Sequence, residues 1–147
     1  MEGCPFCRMI HGDLDCAFVH QGPLCSALMN IQPVNPGHIV LIPNEHIGAL
    51  DELPLETAHH MIRLSQLLAA AIRGSGVDCQ GINLYLAEGL AAGQRIPHLQ
   101  LHIIPRFDND GFELSFSSRS AELPTKDELE KTAFHLRQAL KDLDPED

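Results

Sequence analysis

The pattern of apolar and polar positions predicts five strands and two helices. Apolar runs flanked by turn and loop residues predict strands at 17–20, 24–29, 38–43 and 81–87, and strict alternation predicts a fifth at 98–103. Apolar positions at helical spacing predict one helix over 54–73, and the capping box Thr125-Lys126-Asp127-Glu128 predicts a second, C-terminal helix. A single connection between strands contains a helix, so the fold should be α+β with a mainly antiparallel sheet. We expect one domain over residues 1–147, with no internal repeat or linker.

The fifth predicted strand carries the most distinctive polar residues. A strand has a side-chain period of two, so His98, Gln100 and His102 should share one face, while the leucines and isoleucine between them enter the core. The preceding loop, 88–94, consists mostly of small residues with two glycines, which lets a ligand approach backbone N–H groups. A half-exposed amphipathic strand with no special chemistry would give the same alternation. Pro105 is expected to end the strand.

Composition excludes several classes of partner. The 147 residues carry a formal net charge of −10, one Tyr and no Trp, which argues against nucleic acid because phosphate backbones favour basic and aromatic surfaces. No apolar run is long enough for a membrane span. The N-terminus lacks the basic and apolar regions of a signal peptide, and five cysteines do not suggest a secreted disulfide framework. These features predict a reduced, cytoplasmic protein.

Cys4-Pro5-Phe6-Cys7 forms a C-x-x-C at the N-terminus. On its own it is compatible with a redox pair, with half of a zinc site, or with coincidence. A thioredoxin-like pair would lie near a βαβ pattern, and nothing before Cys4 supplies the first strand. Half of a zinc site needs two more ligands from elsewhere in the chain.

Several motifs, in this order and spacing, resemble those of the histidine triad family, and especially of its bacterial-type branch related to Hint and Fhit proteins. The resemblance covers roughly residues 3 to 140. It implies a HIT-like fold: a five-stranded mainly antiparallel sheet with a central helix and a C-terminal helix. The motifs are Cys4–Gly12, Asn30–Pro33 leading to Pro36-Gly37-His38, Pro43–His46, and Ala92-Gly93-Gln94 followed by Pro97–Arg106.

The resemblance implies a nucleotidyl hydrolase or transferase acting on nucleoside phosphoramidates or dinucleoside polyphosphates. In the family motif H-x-H-x-H the middle histidine is the nucleophile, which takes up a nucleoside monophosphate and passes it to water or another acceptor. Gln100 occupies that position here, between His98 and His102, and an amide has no basic ring nitrogen for such an intermediate. The fold is therefore expected to persist while catalysis is impaired.

The family also implies how a purine nucleoside monophosphate, or a conjugate of one, would bind. Gln94, His102 and the N–H groups around Gly93 would contact phosphate. Asn30 would hold the ribose, and Asn83 could replace a phosphate donor lost at Ala87, since it lies on the same face of the fourth strand. The walls of the base pocket would be Phe6, Met9, Leu28 and Ile31, for which plain core packing is the alternative.

The same resemblance extends to a metal and to assembly. Bacterial-type members with this C-x-x-C join it to two histidines, which here are His46 and His98, and a Cys₂His₂ set suits structural zinc. The family further implies a homodimer, and the wide apolar surface of the 54–73 helix agrees with that expectation.

Three functions remain after sequence analysis. The first is an enzyme of the histidine triad type, which Gln100 disfavours. The second is a non-catalytic module that binds a purine nucleotide. The third is a zinc-stapled interaction protein without a nucleotide, which Asn30, Gln94 and His102 disfavour.

Overall fold

The computed structural model describes residues 3–113 and 123–143. They fall into two compact units, one ending at Phe112 and one beginning at Glu113. The first contains eight elements: α1 (Pro5–His11), β1 (Phe18–Gln21), β2 (Cys25–Met29), β3 (Ile39–Pro43), α2 (Leu55–Gly74), β4 (Gly81–Leu86), a short 3-10 turn (Leu90–Ala92) and β5 (Leu101–Arg106). The second contains α3 (Lys126–Leu143). No helix in the described ranges is long and apolar enough to cross a membrane.

The five strands form one sheet in the order β1-β2-β3-β5-β4, with every neighbouring pair antiparallel. The predicted α+β class and the antiparallel five-stranded sheet are confirmed. The expectation of a single domain over 1–147 stays a prediction.

Apolar residues cover both faces of this sheet. On one face α2 packs through Met61, Leu64, Leu68 and Ile72 onto a cluster that includes Leu41, Leu101 and Ile103. On the other face, Phe6 and the two cysteines of the C-x-x-C pack against Leu28, Val40 and Ile42. The alternation from 98 to 103 therefore sends Leu99, Leu101 and Ile103 into the core, where each is at most 7% exposed. Each such side chain contributes roughly 1.5–3 kcal/mol when fully buried.

The fifth strand starts later and ends later than predicted. It begins at Leu101, where its pairing with Leu41 is the last with β3. Two residues earlier the same register would place Leu99 opposite Pro43, which has no N–H to donate, and the Leu99 N–H donates to the Ile47 carbonyl instead (2.7 Å). Strand β5 then continues through Pro105 to Arg106, so the prediction that Pro105 ends it is wrong. Pairing with β3 stops at Ile103, and only β4 accompanies the last residues, so the missing N–H of Pro105 breaks no ladder. The Pro105 carbonyl accepts from Asn35 Nδ2 instead (2.8 Å).

The sequence analysis did not assign α1, although both of its ends carry signals. Pro5 occupies the first turn, where its missing N–H costs nothing. Gly12 closes the helix at φ 82°, and its N–H donates to the Met9 carbonyl (3.1 Å).

In the second unit, the Glu128 carboxylate accepts from the Thr125 N–H (2.8 Å), and the Glu128 N–H donates to Thr125 Oγ1 (3.3 Å). The predicted capping box is confirmed.

Candidate functional site

Two cavities open on the face of the sheet that carries α1. The first, of about 270 Å³, has mostly apolar walls and is called here the apolar cavity. The second, of about 280 Å³, is called the polar cavity. Gln100, Gln32 and Ile96 line both. The remaining walls of the apolar cavity are Pro5, Phe6, Met9, Leu28, Met29, Asn30, Ile31 and Val40. The remaining walls of the polar cavity are Tyr85, Ala87, Gly93, Gln94, Arg95 and His102.

The apolar cavity collects five residues that sequence analysis named from widely separated segments. The helix α1 supplies Phe6 and Met9, β2 supplies Leu28, and the loop after β2 supplies Asn30 and Ile31. Phe6 and Leu28 are also core residues, whereas Ile31 is 84% exposed. Asn30 is oriented by its own turn, because its Oδ1 accepts from the Gln32 N–H (2.9 Å).

In the polar cavity, Gln94 fixes the glycine loop. Its Oε1 accepts from the Gly89 N–H and its Nε2 donates to the Gly48 carbonyl, both at 2.8 Å. The backbone partners determine which end of the amide is which, and one Nε2 proton stays available to a ligand. Gly89 and Gly93, at φ 79° and 93°, hold conformations that other residues rarely adopt.

The ring of His102 is set by a chain of hydrogen bonds from the buried His38. The Val34 N–H donates to His38 Nδ1 (3.1 Å), so a neutral His38 carries its proton on Nε2. That Nε2 lies 3.0 Å from His102 Nδ1 and donates to it. His102 then carries its own proton on Nε2. The Asn30 Nδ2 lies 3.5 and 3.3 Å from the two His38 nitrogens.

Both rings of this pair are neutral near pH 7. Burial lowers the pKa of His38 to about 4, with a further contribution from His102, and burial also lowers the pKa of His102. A neutral ring with its proton on Nε2 donates a hydrogen bond and does not act as a base at that atom.

Gln100 lies where the two cavities meet. Its Nε2 donates to the His98 carbonyl (3.2 Å), and the residue is half-buried. The structure thus brings together the predicted residues Gln100, His102, Gln94 and Gly93. It does not place Asn83 among them: Asn83 Oδ1 accepts from Arg106 Nη1 (2.6 Å), and Asn83 lines a different depression beside Arg106 and Asp108.

His98 is separated from both cavities and joins a cluster with Cys4, Cys7 and His46. Cys4 Sγ lies 3.4 Å and Cys7 Sγ 3.7 Å from His98 Nδ1, and Cys7 Sγ lies 3.2 Å from His46 Nδ1. Zinc bonds of about 2.3 Å to sulfur and about 2.0 Å to nitrogen put neighbouring tetrahedral ligand atoms about 3.5 Å apart. The four donor atoms therefore form a possible metal site.

The surroundings of His98 suit a ligand role. Its Nε2 donates to the Pro43 carbonyl (2.9 Å), which leaves the Nδ1 lone pair facing the thiols. The ring is fully buried and meets the Phe6 ring edge-on at 5.6 Å. Burial and the neighbouring Cys4 raise the pKa of Cys7, and a bound cation would favour the thiolate instead. Phe6 connects this cluster to the wall of the apolar cavity.

Sequence analysis missed Tyr85 and Arg95 as cavity residues. Tyr85 pairs with His102 across β4 and β5, its ring centroid is 6.0 Å from that of His102, and its hydroxyl donates to the Ala92 carbonyl (3.4 Å). The alternation along β4 places Tyr85 on the same face as Asn83 and Ala87, which is a usable signal. The signal for Arg95 is its isolation: no other Asp, Glu, Lys or Arg occurs between Glu88 and Arg106 in the sequence.

The profile of the HIT domain matches residues 11–109. The chain belongs to the HIT family. Adenylylsulfatase HINT3 of Arabidopsis thaliana is 32% identical over 144 residues, which cover 97% of this chain and 72% of the relative. Adenosine 5'-monophosphoramidase hnt1 of Schizosaccharomyces pombe is 30% identical over 103 residues, 70% of this chain and 74% of the relative. Both names describe hydrolysis of a nucleotide derivative.

A solved HIT structure carries a metal. The Zn-bound histidine triad family protein from Mycobacterium smegmatis has a TM-score of 0.71 to this chain and 32% identity, covering 99% of each. Its metal is a property of that protein. In the present chain, the Cys₂His₂ cluster supplies the donor set that such an ion requires.

Proposed function

We propose that this HIT protein binds a purine nucleoside monophosphate, or a conjugate of one, and that its hydrolytic step is impaired. The base would enter the apolar cavity, the ribose would contact Asn30, and the phosphate would occupy the polar cavity. The observation that carries the proposal is the position of Gln100, which lines both cavities and so lies where the phosphate must sit. The nucleotide hydrolases among its relatives support this substrate class.

The phosphate would meet hydrogen-bond donors in the described part of the polar cavity, where the one imidazole, that of His102, has its basic Nδ1 engaged by His38. Donors are available from His102 Nε2 and from the second Nε2 proton of Gln94. The expected backbone donors around Gly93 are already engaged, because the Gly93 N–H donates to the Leu90 carbonyl and the Gln94 N–H to the Gly89 carbonyl. In relatives the reacting position would hold an imidazole, whereas the Gln100 amide cannot form a comparable phosphoramidate. The same arrangement favours the second candidate, a module that binds the nucleotide without turnover.

Calorimetry with AMP and GMP tests the binding step. We expect measurable binding, no covalent nucleotidyl adduct, and very slow hydrolysis of an adenosine phosphoramidate. Asn30→Ala should weaken AMP binding by about tenfold, because a typical hydrogen bond to the ligand is lost. Gln21→Ala, on an exposed position of β1, is the matched control and should leave affinity unchanged. If no purine nucleotide binds, the nucleotide-binding proposal fails and the zinc-stapled interaction protein becomes the better reading.

Zinc at Cys4, Cys7, His46 and His98 belongs to the same proposal. The four ligands are a closed tetrahedral set, so the ion would be structural and would supply a cross-link and no reaction chemistry. It would fasten α1 to the segment after β3 and to the segment before β5. Because α1 forms one wall of the apolar cavity, the metal would also hold that wall in place. The chain would then resemble the bacterial-type branch of the family.

We also expect a homodimer, formed through the β4 edge and α2. Strand β4 ends the sheet, and Leu84 on it is 51% exposed although it shares a face with Ile82 and Leu86, which pack on the α2 cluster. On α2 itself, Ile62 and Leu67 are 55% and 59% exposed. Exposed apolar side chains on an edge strand and on α2 are typical of an interface between copies.

Light scattering at micromolar concentration tests the dimer. The wild-type mass should be twice the chain mass, and Leu84→Lys should shift the protein toward the monomer because the charge would be buried at the interface. Val19→Lys is matched, since Val19 is an exposed apolar residue (44%) on β1, the opposite edge strand. A monomeric wild type, or equal effects of the two substitutions, would contradict this interface.

A further inference from the structure

The polar cavity has a single residue with a full charge among its described walls. That residue is Arg95, which follows Gln94 on the segment leading to β5. The other polar groups are the amides of Gln32, Gln94 and Gln100, the phenol of Tyr85 and the neutral ring of His102. Arg95 lines the polar cavity only and does not reach the apolar cavity.

Arg95 has no protein partner within the ranges 3–113 and 123–143. The ion pairs there join Arg106 to Asp110 and Arg137 to Glu130. Arg106 shows how this chain uses a structural arginine: its guanidinium is satisfied by Asp110, Asn83 and the Phe112 carbonyl. Arg95 makes none of these contacts and is exposed. Its five N–H donors are therefore available to a ligand.

The guanidinium of Arg95 can offset the negative net charge of the chain at the polar cavity. The chain has 20 acidic and 10 basic residues, so its overall field repels anions. A local cation at the cavity can overcome that field for a ligand held within a few ångström, where screening by salt is weak. Guanidinium is permanently charged, and its planar fork matches two oxygens of a phosphate or sulfate.

A nucleoside monophosphate does not need this residue. The side-chain donors of His102 and Gln94 can serve one phosphate. Apart from Gly93, the remaining walls of the same cavity are Arg95, Tyr85, Ala87, Gln32, Ile96 and Gln100. We infer that Arg95 binds a second anionic group of the ligand, so that the group attached to the 5′-phosphate is itself a phosphate or a sulfate and not an amine. This inference rests on the proposed nucleotide binding and adds the class of the attached group.

Four ligands distinguish whether the second anionic group is a phosphate or a sulfate. Calorimetry would compare AMP, ADP, adenosine 5′-phosphosulfate and adenosine 5′-phosphoramidate, with unreacted ligand checked after each titration. We expect ADP and the phosphosulfate to bind about tenfold tighter than AMP or the phosphoramidate, the scale of one added charge-assisted hydrogen bond. Tighter binding of only one of them identifies phosphate or sulfate as the preferred group, and either result supports the inference.

Arg95→Ala tests the residue, and Arg73→Ala is its matched control. Arg73 is exposed in the last turn of α2, on the other face of the sheet, and its loss changes net charge equally. Arg95→Ala should abolish the preference over AMP while AMP affinity stays within about twofold. Arg73→Ala should preserve it.

Three results would overturn the inference. The first is equal affinity of all four probes for the wild type. The second is an equal loss of AMP and ADP binding in Arg95→Ala, and the third is the same loss of preference in Arg73→Ala. In each case the wild type still binds AMP, and the proposed nucleotide binding survives. Absence of AMP binding by every variant, including the wild type, overturns both proposals.

Discussion

Gln100→His is expected to raise hydrolysis of a nucleoside phosphoramidate by several orders of magnitude. The scale is the factor of about 10⁶ that loss of a nucleophile costs in a covalent enzyme. A histidine at this position would lie at the junction of the two cavities. The purine base would be held in the apolar cavity on one side and the phosphate in the polar cavity on the other. Its neighbours cannot substitute for it. His98 is buried in the Cys₂His₂ cluster, and Nδ1 of His102 is occupied by His38.

The measurement is AMP release from adenosine 5′-phosphoramidate and from adenosine 5′-phosphosulfate, together with the intact mass of the protein during turnover. Gln100→His should accumulate a nucleotidyl adduct, whereas Gln100→Asn, which keeps an amide, should behave like the wild type. Since the inferred second anion suits the cavity better than an amine, the gain is measured separately for each substrate. Rapid hydrolysis by the wild type, unchanged in Gln100→His, would show that Gln100 does not mark the reacting position.

Removal of the metal is expected to have the largest effect on stability. Protein purified without chelator should contain about one zinc per chain, and Cys7→Ser should lose it. Structural zinc sites can contribute about 10 kcal/mol of apparent binding free energy. The loss here should be several kcal/mol, because the sheet and α2 form a separate core cluster that does not include the cysteines of the C-x-x-C.

Cys16→Ser is the matched control for that substitution. Cys16 is a free, half-buried cysteine outside the cluster, and its replacement should change neither zinc content nor the denaturation midpoint by much. Chelation of the wild type should reproduce the effect of Cys7→Ser without any substitution, and should also weaken nucleotide binding through the released α1 wall. A metal-free wild type of equal stability would show that the cluster holds no structural ion.

Residue pattern alone was sufficient for the strands, the helix α2 and the face assignment of Leu99, Leu101 and Ile103. Period two and period 3.6 are direct consequences of backbone geometry, and this sheet obeys them. The strand ends depend on long-range partners. Whether a proline ends a strand depends on whether a neighbouring strand faces its backbone nitrogen, which has no hydrogen to donate. For Pro105, the answer requires knowing that β3 pairs only as far as Ile103.

The site residues that belong to a sequence motif were predictable. The residues whose side chains can bond to more than one partner were less so. Gln100, His102, Gln94 and Gly93 do meet at one cavity. Asn83 lies on the expected face, but Arg106 engages its carboxamide oxygen (2.6 Å), and Arg106 in turn is held by Asp110. The Arg106 bond holds the pKa of the Asp110 carboxyl well below its usual range. Such a network draws on residues more than twenty positions apart, which no local pattern contains.

The placement of His98, Gln100 and His102 also limits how this chain can diverge. The three residues face three different environments: the Cys₂His₂ cluster, the junction of the cavities, and the polar cavity. Exchange of one side chain therefore alters one environment. Insertion or deletion of one residue between Pro97 and His102 would turn the polar residues toward the core and the leucines toward the ligand. This segment therefore tolerates changes of chemistry far better than changes of length, so divergence of function among such chains should proceed by substitution here and by length variation elsewhere.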